Sequence, residues 1–153
     1  MGLDMFLYAR NYVSNDAFSK PEEKRRYKAL LKVFGLDPIP GQSAELSVQV
    51  ASWVKANQIH RWFVKHIQNG EDDCNEYVVD REQLEELVLL CKRVLRQKSQ
   101  ARKLLPPGKG FFFGGTIMDE VYFGGLKATI DQLTPVLKDP KYDGWEFYYL
   151  ASW

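Results

Sequence analysis

The chain has 153 residues with 21 bases and 20 acids, so its formal net charge is +1. This length is typical of one domain, and the balanced charge argues against a nucleic-acid partner or an anionic membrane surface. Hydrophobic residues make up 45% of the chain, which indicates a folded protein with a core. No apolar stretch approaches the roughly 18 residues of a membrane span. The acidic start at Asp4 is unlike a signal peptide, so we expect a cytoplasmic protein.

The chain opens with the pattern of a strand followed by a helix. Leu3 to Val13 carries apolar residues of both parities, which is typical of a strand covered on both faces. Ser19 with Glu22 three residues later forms a capping pattern, and it predicts a helix near residues 21 to 34.

The middle of the chain predicts two strands and a helix between them. Alternation over Leu46 to Val50 indicates a short strand. Apolar residues at helical spacing predict a helix from Val54 to a stop at Asn69-Gly70, with His60 on its inner face. A brief strand is predicted at Tyr77 to Val79.

A long helix follows, for which Asp80 and Gln83 provide a reciprocal cap. Cys91 falls in its buried stripe, where a thiol behaves as a small hydrophobe, so we assign it no chemistry. The prolines and glycines of Pro106 to Gly110 are expected to end this helix. The triplet Phe111 to Phe113 fits a short strand or a loop equally well.

The last part of the chain predicts a helix and a final strand. Helical spacing extends from Asp119 to Leu137, but Gly124-Gly125 disfavours the first turns, so we place the secure part at 126 to 138. Trp145 to Trp153 alternates as a strand. Residues 1–153 are therefore expected to form a single α+β domain, with a small, mainly antiparallel sheet packed with about four helices. The first and last strands are the expected sheet centre.

Charge is segregated along the chain although the total is balanced. Residues 71–86 hold eight acids and one base, whereas residues 92–109 hold seven bases and no acid. Acids at the start of a helix and bases at its end complement the helix dipole, which explains much of this pattern. The alternative is a site for a small anion or an acidic partner, with Arg93 or Lys109 as the contact.

Most familiar catalytic and metal designs are missing from the sequence. His60 and His66 lie on different helix faces, and two cysteines are too few for a zinc site, so we expect neither a metal nor a cofactor. Phosphate-cradling and serine-nucleophile motifs are absent. The remaining catalytic option pairs His60 with Asp73 or Cys74, although the acids around Cys74 disfavour a thiolate.

The 21 aromatic residues are mostly expected in the core, where each can bury about 150–250 Å². Some have polar tips and lie near turns or strand ends, where they could instead stack on a planar ligand beside an Arg or Lys. Those relevant to a site are Trp53, Trp62, Tyr77, Tyr149 and Trp153.

Several segments together resemble a family of short proteins of tailed bacteriophages and prophages. They include the start Gly2-Leu3-Asp4-Met5, the helix Lys55-Ala-Asn-Gln-Ile-His-Arg-Trp-Phe63, Gly110-Phe-Phe-Phe-Gly114 and the end Phe147-Tyr-Tyr-Leu-Ala-Ser-Trp153. The resemblance implies an accessory counter-defence protein in the cytoplasm of an infected bacterium.

Such a protein would hold a nucleotide-derived immune signal or cover a host defence protein. We expect the first: a non-enzymatic binder that sequesters a small anionic, nucleotide-like ligand. Direct inhibition of a defence protein and hydrolysis of a nucleotide signal by His60 with Asp73 or Cys74 stay open, as does self-association into a homo-oligomer. The expected ligand-binding residues are Trp53, Asn57, His60, Trp62, Tyr77, Arg93, Lys109, Tyr149 and Trp153.

Overall fold

The structure is a computed structural model that describes residues 2–110 and 113–153. Within them are β1 (Asp4–Ser14), α1 (Pro21–Val33), β2 (Ser43–Val54), α2 (Asn57–His66), β3 (Tyr77–Val79), α3 (Arg81–Arg96), α4 (Ala101–Leu104), α5 (Glu120–Lys138) and β4 (Glu146–Ser152). Single 3₁₀ turns lie at Lys98–Gln100 and Pro140–Tyr142. The antiparallel sheet has the order β2-β1-β4-β3, which confirms the α+β class and the central position of the first and last strands.

Two compact units can be distinguished along the chain. One consists of Gln49–Trp153 with the start of the chain up to Ala9, and the other of Arg10–Val48. In the larger unit α3 packs against α5, and β3 pairs antiparallel with β4. Its core combines one face of the sheet with the inner faces of the helices; fully buried members include Leu3, Met5, Leu7, Ile59, Phe63, Leu84, Leu87, Leu126, Phe147 and Tyr149.

The first strand departs from its prediction in one respect. Leu3, Met5 and Leu7 are fully buried, but Phe6 and Tyr8 on the opposite face are only half-buried. The expectation that both faces of this strand are covered is met fully on the Leu3 face and only in part on the other. The alternation of apolar residues marks one core face, and the aromatic residues of the other parity remain in partial contact with solvent.

The smaller unit, Arg10–Val48, contains α1 and has few buried residues. The predicted cap at Ser19 was wrong: Lys20 is the N-cap and its side chain makes no cap hydrogen bond. The Ser19 hydroxyl instead donates to Asp16 Oδ1 at 2.9 Å, and the same carboxylate also accepts from the Ser19 backbone N–H at 2.7 Å. The Ser19 hydroxyl, which was expected to cap the helix, is therefore hydrogen bonded to the nearby Asp16 carboxylate.

The caps and ends of the two long helices were predicted with mixed success. Asp80 and Gln83 form the expected capping box of α3. That helix ends at Arg96, before the prolines, because the backbone at Gln97 is non-helical. Asp119 caps α5 by accepting from the N–H groups of residues 121 and 122, so this helix starts at Glu120 and includes both Gly124 and Gly125, which were expected to disfavour its first turns.

None of the described helices has the length and apolar character needed to cross a membrane.

Candidate functional site

A pocket of about 210 Å³ opens beside His60 in the larger unit. Helix α2 forms one wall, the acidic turn after it forms another, and the loop after α4 forms the third. The lining residues are His60, Arg61, Val64, Asp72, Gly108, Lys109 and Phe113.

His60 is almost fully buried, and both of its ring nitrogens are hydrogen bonded. Nδ1 lies 2.7 Å from the Tyr149 hydroxyl, and Nε2 lies 2.9 Å from Asp72 Oδ1. Burial lowers the pKa of His60, although the charge of Asp72 opposes this, and burial raises the pKa of Tyr149 well above its usual value. The arrangement therefore assigns a neutral imidazole that accepts from the Tyr149 O–H and donates its Nε2–H to Asp72.

Three polar groups on the pocket wall keep unused hydrogen-bonding capacity. Asp72 Oδ2 and the Lys109 ammonium have no hydrogen-bond partner among the described residues. The guanidinium of Arg61 donates through Nη1 to the carbonyl of Pro107 at 3.1 Å, and its other N–H groups have no partner within residues 2–110 and 113–153. Two cations and one carboxylate therefore face the same small space, which gives it a local charge of about +1.

Asn57 holds the loop that carries Lys109. Its Nδ2 donates to the carbonyls of Phe113 and Gly115, both at 2.9 Å, and its Oδ1 accepts from the Gly108 N–H at 3.1 Å. A Cβ on Gly108 would lie 3.0 Å from the Asn57 carbonyl oxygen, so a larger residue would require a small shift between the loop and α2. Asn57, predicted to bind the ligand, is thus 97% buried and holds this loop, and it does not line the pocket. Phe111 and Phe112, which we could not assign to strand or loop, lie outside the described residues.

Two of the tryptophans expected at the site are in the core. Trp53 donates from Nε1 to Thr129 Oγ1 at 2.9 Å and packs against Phe63. Trp62 is stacked on the ring of His66 and meets Phe63 edge-on. Both are over 90% buried, so packing uses the surface that a ligand would need.

The other predicted residues lie at different distances from the pocket. Tyr149 reaches it through His60, and its ring is stacked on a core phenylalanine. Trp153 is 40% exposed and meets the lining residue Phe113 edge-on, with ring centroids 6.0 Å apart. The Tyr77 hydroxyl donates to Asp73 Oδ2, and Arg93 is exposed on α3; neither lines the pocket.

The suggested catalytic partners of His60, Asp73 and Cys74, are not hydrogen bonded to it in the structure. His60 bonds to Asp72, whereas Asp73 accepts from the backbone and side chain of Asn75. Cys74 is exposed and does not line the pocket, and burial raises the pKa of Cys91 to about 12. Among the described residues, no group of three His, Cys, Asp or Glu side chains could hold a metal ion.

No family model, curated protein or solved structure matches this chain. The site must therefore be interpreted from its own geometry. Asp72 and Arg61 were missed in the sequence: Arg61 is adjacent to His60, but nothing in the acidic turn indicates which of its carboxylates meets the imidazole.

Proposed function

We propose that this protein binds and sequesters a small anionic, nucleotide-like ligand in the pocket beside His60, without catalysis. The observation that carries the proposal is the pair of cations, Lys109 and Arg61, which face the pocket with unused donors. A guanidinium and an ammonium are the usual protein donors to phosphate. A counter-defence role in the bacterial cytoplasm is part of the proposal and rests on the resemblance to phage proteins alone.

The size of the pocket limits how much of such a ligand it encloses. Pockets that bury most of a drug-sized ligand measure about 300–1,000 Å³, and this one measures about 210 Å³. The phosphate and the sugar would occupy it, and a base would extend to its rim. Trp153, partly exposed beside Phe113, offers a ring on which a base can stack there.

Binding without turnover is favoured because the described lining of the pocket holds no serine, threonine, cysteine or tyrosine nucleophile and its histidine is not available as a base. Both nitrogens of His60 are engaged, and the protein hydroxyl that bonds to it, that of Tyr149, is buried. A general base must reach the proton that it removes, which His60 cannot do while Asp72 and Tyr149 occupy its two nitrogens.

Calorimetric titration with adenosine 5′-monophosphate tests the proposal. We expect Lys109→Ala to weaken binding by at least about 10-fold, since a hydrogen bond to a charged group is lost. The matched control is Lys141→Ala, which removes an exposed lysine that does not line the pocket. After denaturation the nucleotide should be recovered intact by mass spectrometry. Absence of binding by the unmodified protein contradicts the proposal, and recovery of a cleaved product indicates an enzyme.

A second function, binding to a host defence protein, is favoured by a separate observation. In the unit Arg10–Val48, large apolar side chains lie exposed at the end of α1 and in the following loop: Val33, Phe34, Leu36 and Ile39, between 50% and 79% accessible. Exposed apolar clusters of this kind mark protein interaction surfaces. This function predicts a stoichiometric complex with a purified defence protein that Phe34→Ser abolishes and Lys109→Ala does not.

A further inference from the structure

Asp72 gives the pocket a hydrogen-bond acceptor beside its two cations, so the ligand must carry a donor as well as a negative charge. The Asp72 carboxylate faces the same space as Lys109 and Arg61, and its Oδ2 has no hydrogen-bond partner among the described residues. A bare phosphate near this carboxylate would be repelled by it, whereas a hydroxyl placed between them would donate to it.

We infer that the pocket selects phosphorylated sugars, in which Asp72 accepts a hydrogen bond from a sugar hydroxyl while Lys109 and Arg61 bind the phosphate. This inference rests on the proposed function and narrows its ligand class. A ribose phosphate, alone or within a nucleotide, carries both groups a few ångströms apart, and carboxylates bind ribose hydroxyls in this way in dinucleotide-binding proteins.

Two buried side chains behind Asp72, His60 and Tyr149, determine which oxygen of its carboxylate is left to accept from the ligand. The Tyr149 O–H donates to His60 Nδ1, which leaves the proton of the imidazole on Nε2, and that proton is donated to Asp72 Oδ1. One carboxylate oxygen is therefore held from inside the protein and the other is left for the ligand. Tyr149 is held in turn by stacking on Phe63, with 3.8 Å between ring centroids. His60 and Tyr149 are positioning residues, and Asp72 is the ligand contact.

The position of Asp72 also explains why the pocket is not a simple phosphate site. The carboxylate lowers the local charge from about +2, which the two cations alone would give, to about +1, and so weakens the attraction for a phosphate. A tightly bound ligand must therefore donate a hydrogen bond to Asp72 as well as bind the cations. A ligand without such a donor would leave the Asp72 carboxylate facing the negative charge of the phosphate.

Titration with ribose 5-phosphate and with methyl phosphate, which has no alcohol hydroxyl, separates the need for a sugar hydroxyl from the need for a phosphate. The unmodified protein should bind ribose 5-phosphate at least about 10-fold more tightly than methyl phosphate. Asp72→Asn retains an oxygen that can accept from His60 but lowers the negative charge facing the ligand and adds donors. This variant should lose the preference for ribose 5-phosphate and bind methyl phosphate at least as tightly as before.

The outcomes distinguish this inference from the proposed function. If the unmodified protein binds neither compound nor adenosine 5′-monophosphate, the proposed function fails. If it binds both phosphates equally, and Asp72→Asn strengthens both, the pocket is an anion site and the sugar inference is wrong. Asp131→Asn, which removes an exposed carboxylate from α5, controls for overall charge. Should Asp72→Asn fail to fold, ribose 5-phosphate is compared on the unmodified protein with tetrahydrofurfuryl phosphate, which keeps the ring and the phosphate but has no hydroxyl on the ring. Equal affinities for the two compounds contradict the inference.

Discussion

Replacing Asn57 with alanine should release the loop that carries Lys109 and weaken ligand binding from a position outside the pocket lining. The amide side chain joins Gly108, Phe113 and Gly115 to α2 through three hydrogen bonds of 2.9 to 3.1 Å. Alanine removes all three and leaves a buried N–H and a buried carbonyl without their partner.

The expected loss of stability follows from those bonds. At about 1 kcal/mol net for each bond, Asn57→Ala should lower the free energy of unfolding by roughly 3 kcal/mol. In a domain of this size such a loss corresponds to a fall in Tm of roughly 6–12 °C. If the loop opens locally and its polar groups meet water, the stability loss is smaller, but Lys109 is then no longer held at the pocket.

Urea unfolding and titration with adenosine 5′-monophosphate measure the two effects together. Asn75→Ala is the matched control, because Asn75 is exposed and bonds within its own turn; we expect a change of less than about 0.5 kcal/mol. The reasoning is refuted if Asn57→Ala costs under about 1 kcal/mol and also leaves the affinity for the nucleotide unchanged.

Three further results are expected. Gly125→Ala should destabilise the protein, because a Cβ there would lie 2.8 Å from Nε2 of the buried Gln58, which can move away only by giving up its hydrogen bond to the Tyr122 carbonyl. Gly124→Ala meets open space and should stabilise by up to about 1 kcal/mol; equal shifts in urea midpoint would contradict this. Burial lowers the pKa of His60 below 6.5, so the unfolded chain takes up a proton before the native one does. Stability should be full above pH 6.5 and fall at lower pH, and unfolding curves at pH 7.5 and 5.5 should differ less for His60→Gln. Under native conditions a thiol reagent should label the exposed Cys74 rapidly and the buried Cys91 only after unfolding; rapid labelling of both would show that the core around Cys91 opens.

Local patterns in the sequence predicted the fold well where the determining contacts are close along the chain. The Asp80 and Gln83 capping box and the apolar spacing of α2 depend on neighbours within a few residues. The cap at Ser19 was wrong although the competing group is also close along the chain, because the capping pattern considers only the residues after Ser19 and not Asp16, which accepts from its hydroxyl. Local reasoning also failed at Gly125, whose close approach to α2 is a tertiary contact that helix propensity does not include.

The candidate site was harder to predict because its members come from distant segments. His60 and Lys109 were named from their residue types, but their shared pocket depends on a loop that Asn57 holds over more than 50 residues of sequence. The polar tips of Trp53 and Trp62 suggested a stacking wall, yet in this structure both rings fill the core. A polar tip satisfied by a buried partner and one that faces a ligand look the same in a sequence.

The claim that a nucleotide-like anion binds beside His60 is tested most directly by an NMR titration of the isotope-labelled protein with adenosine 5′-monophosphate. We expect the largest shifts at the backbone amides of Gly108 and Lys109 and at the imidazole protons of His60. Shifts confined to the unit Arg10–Val48, or none at a saturating concentration, would contradict the claim.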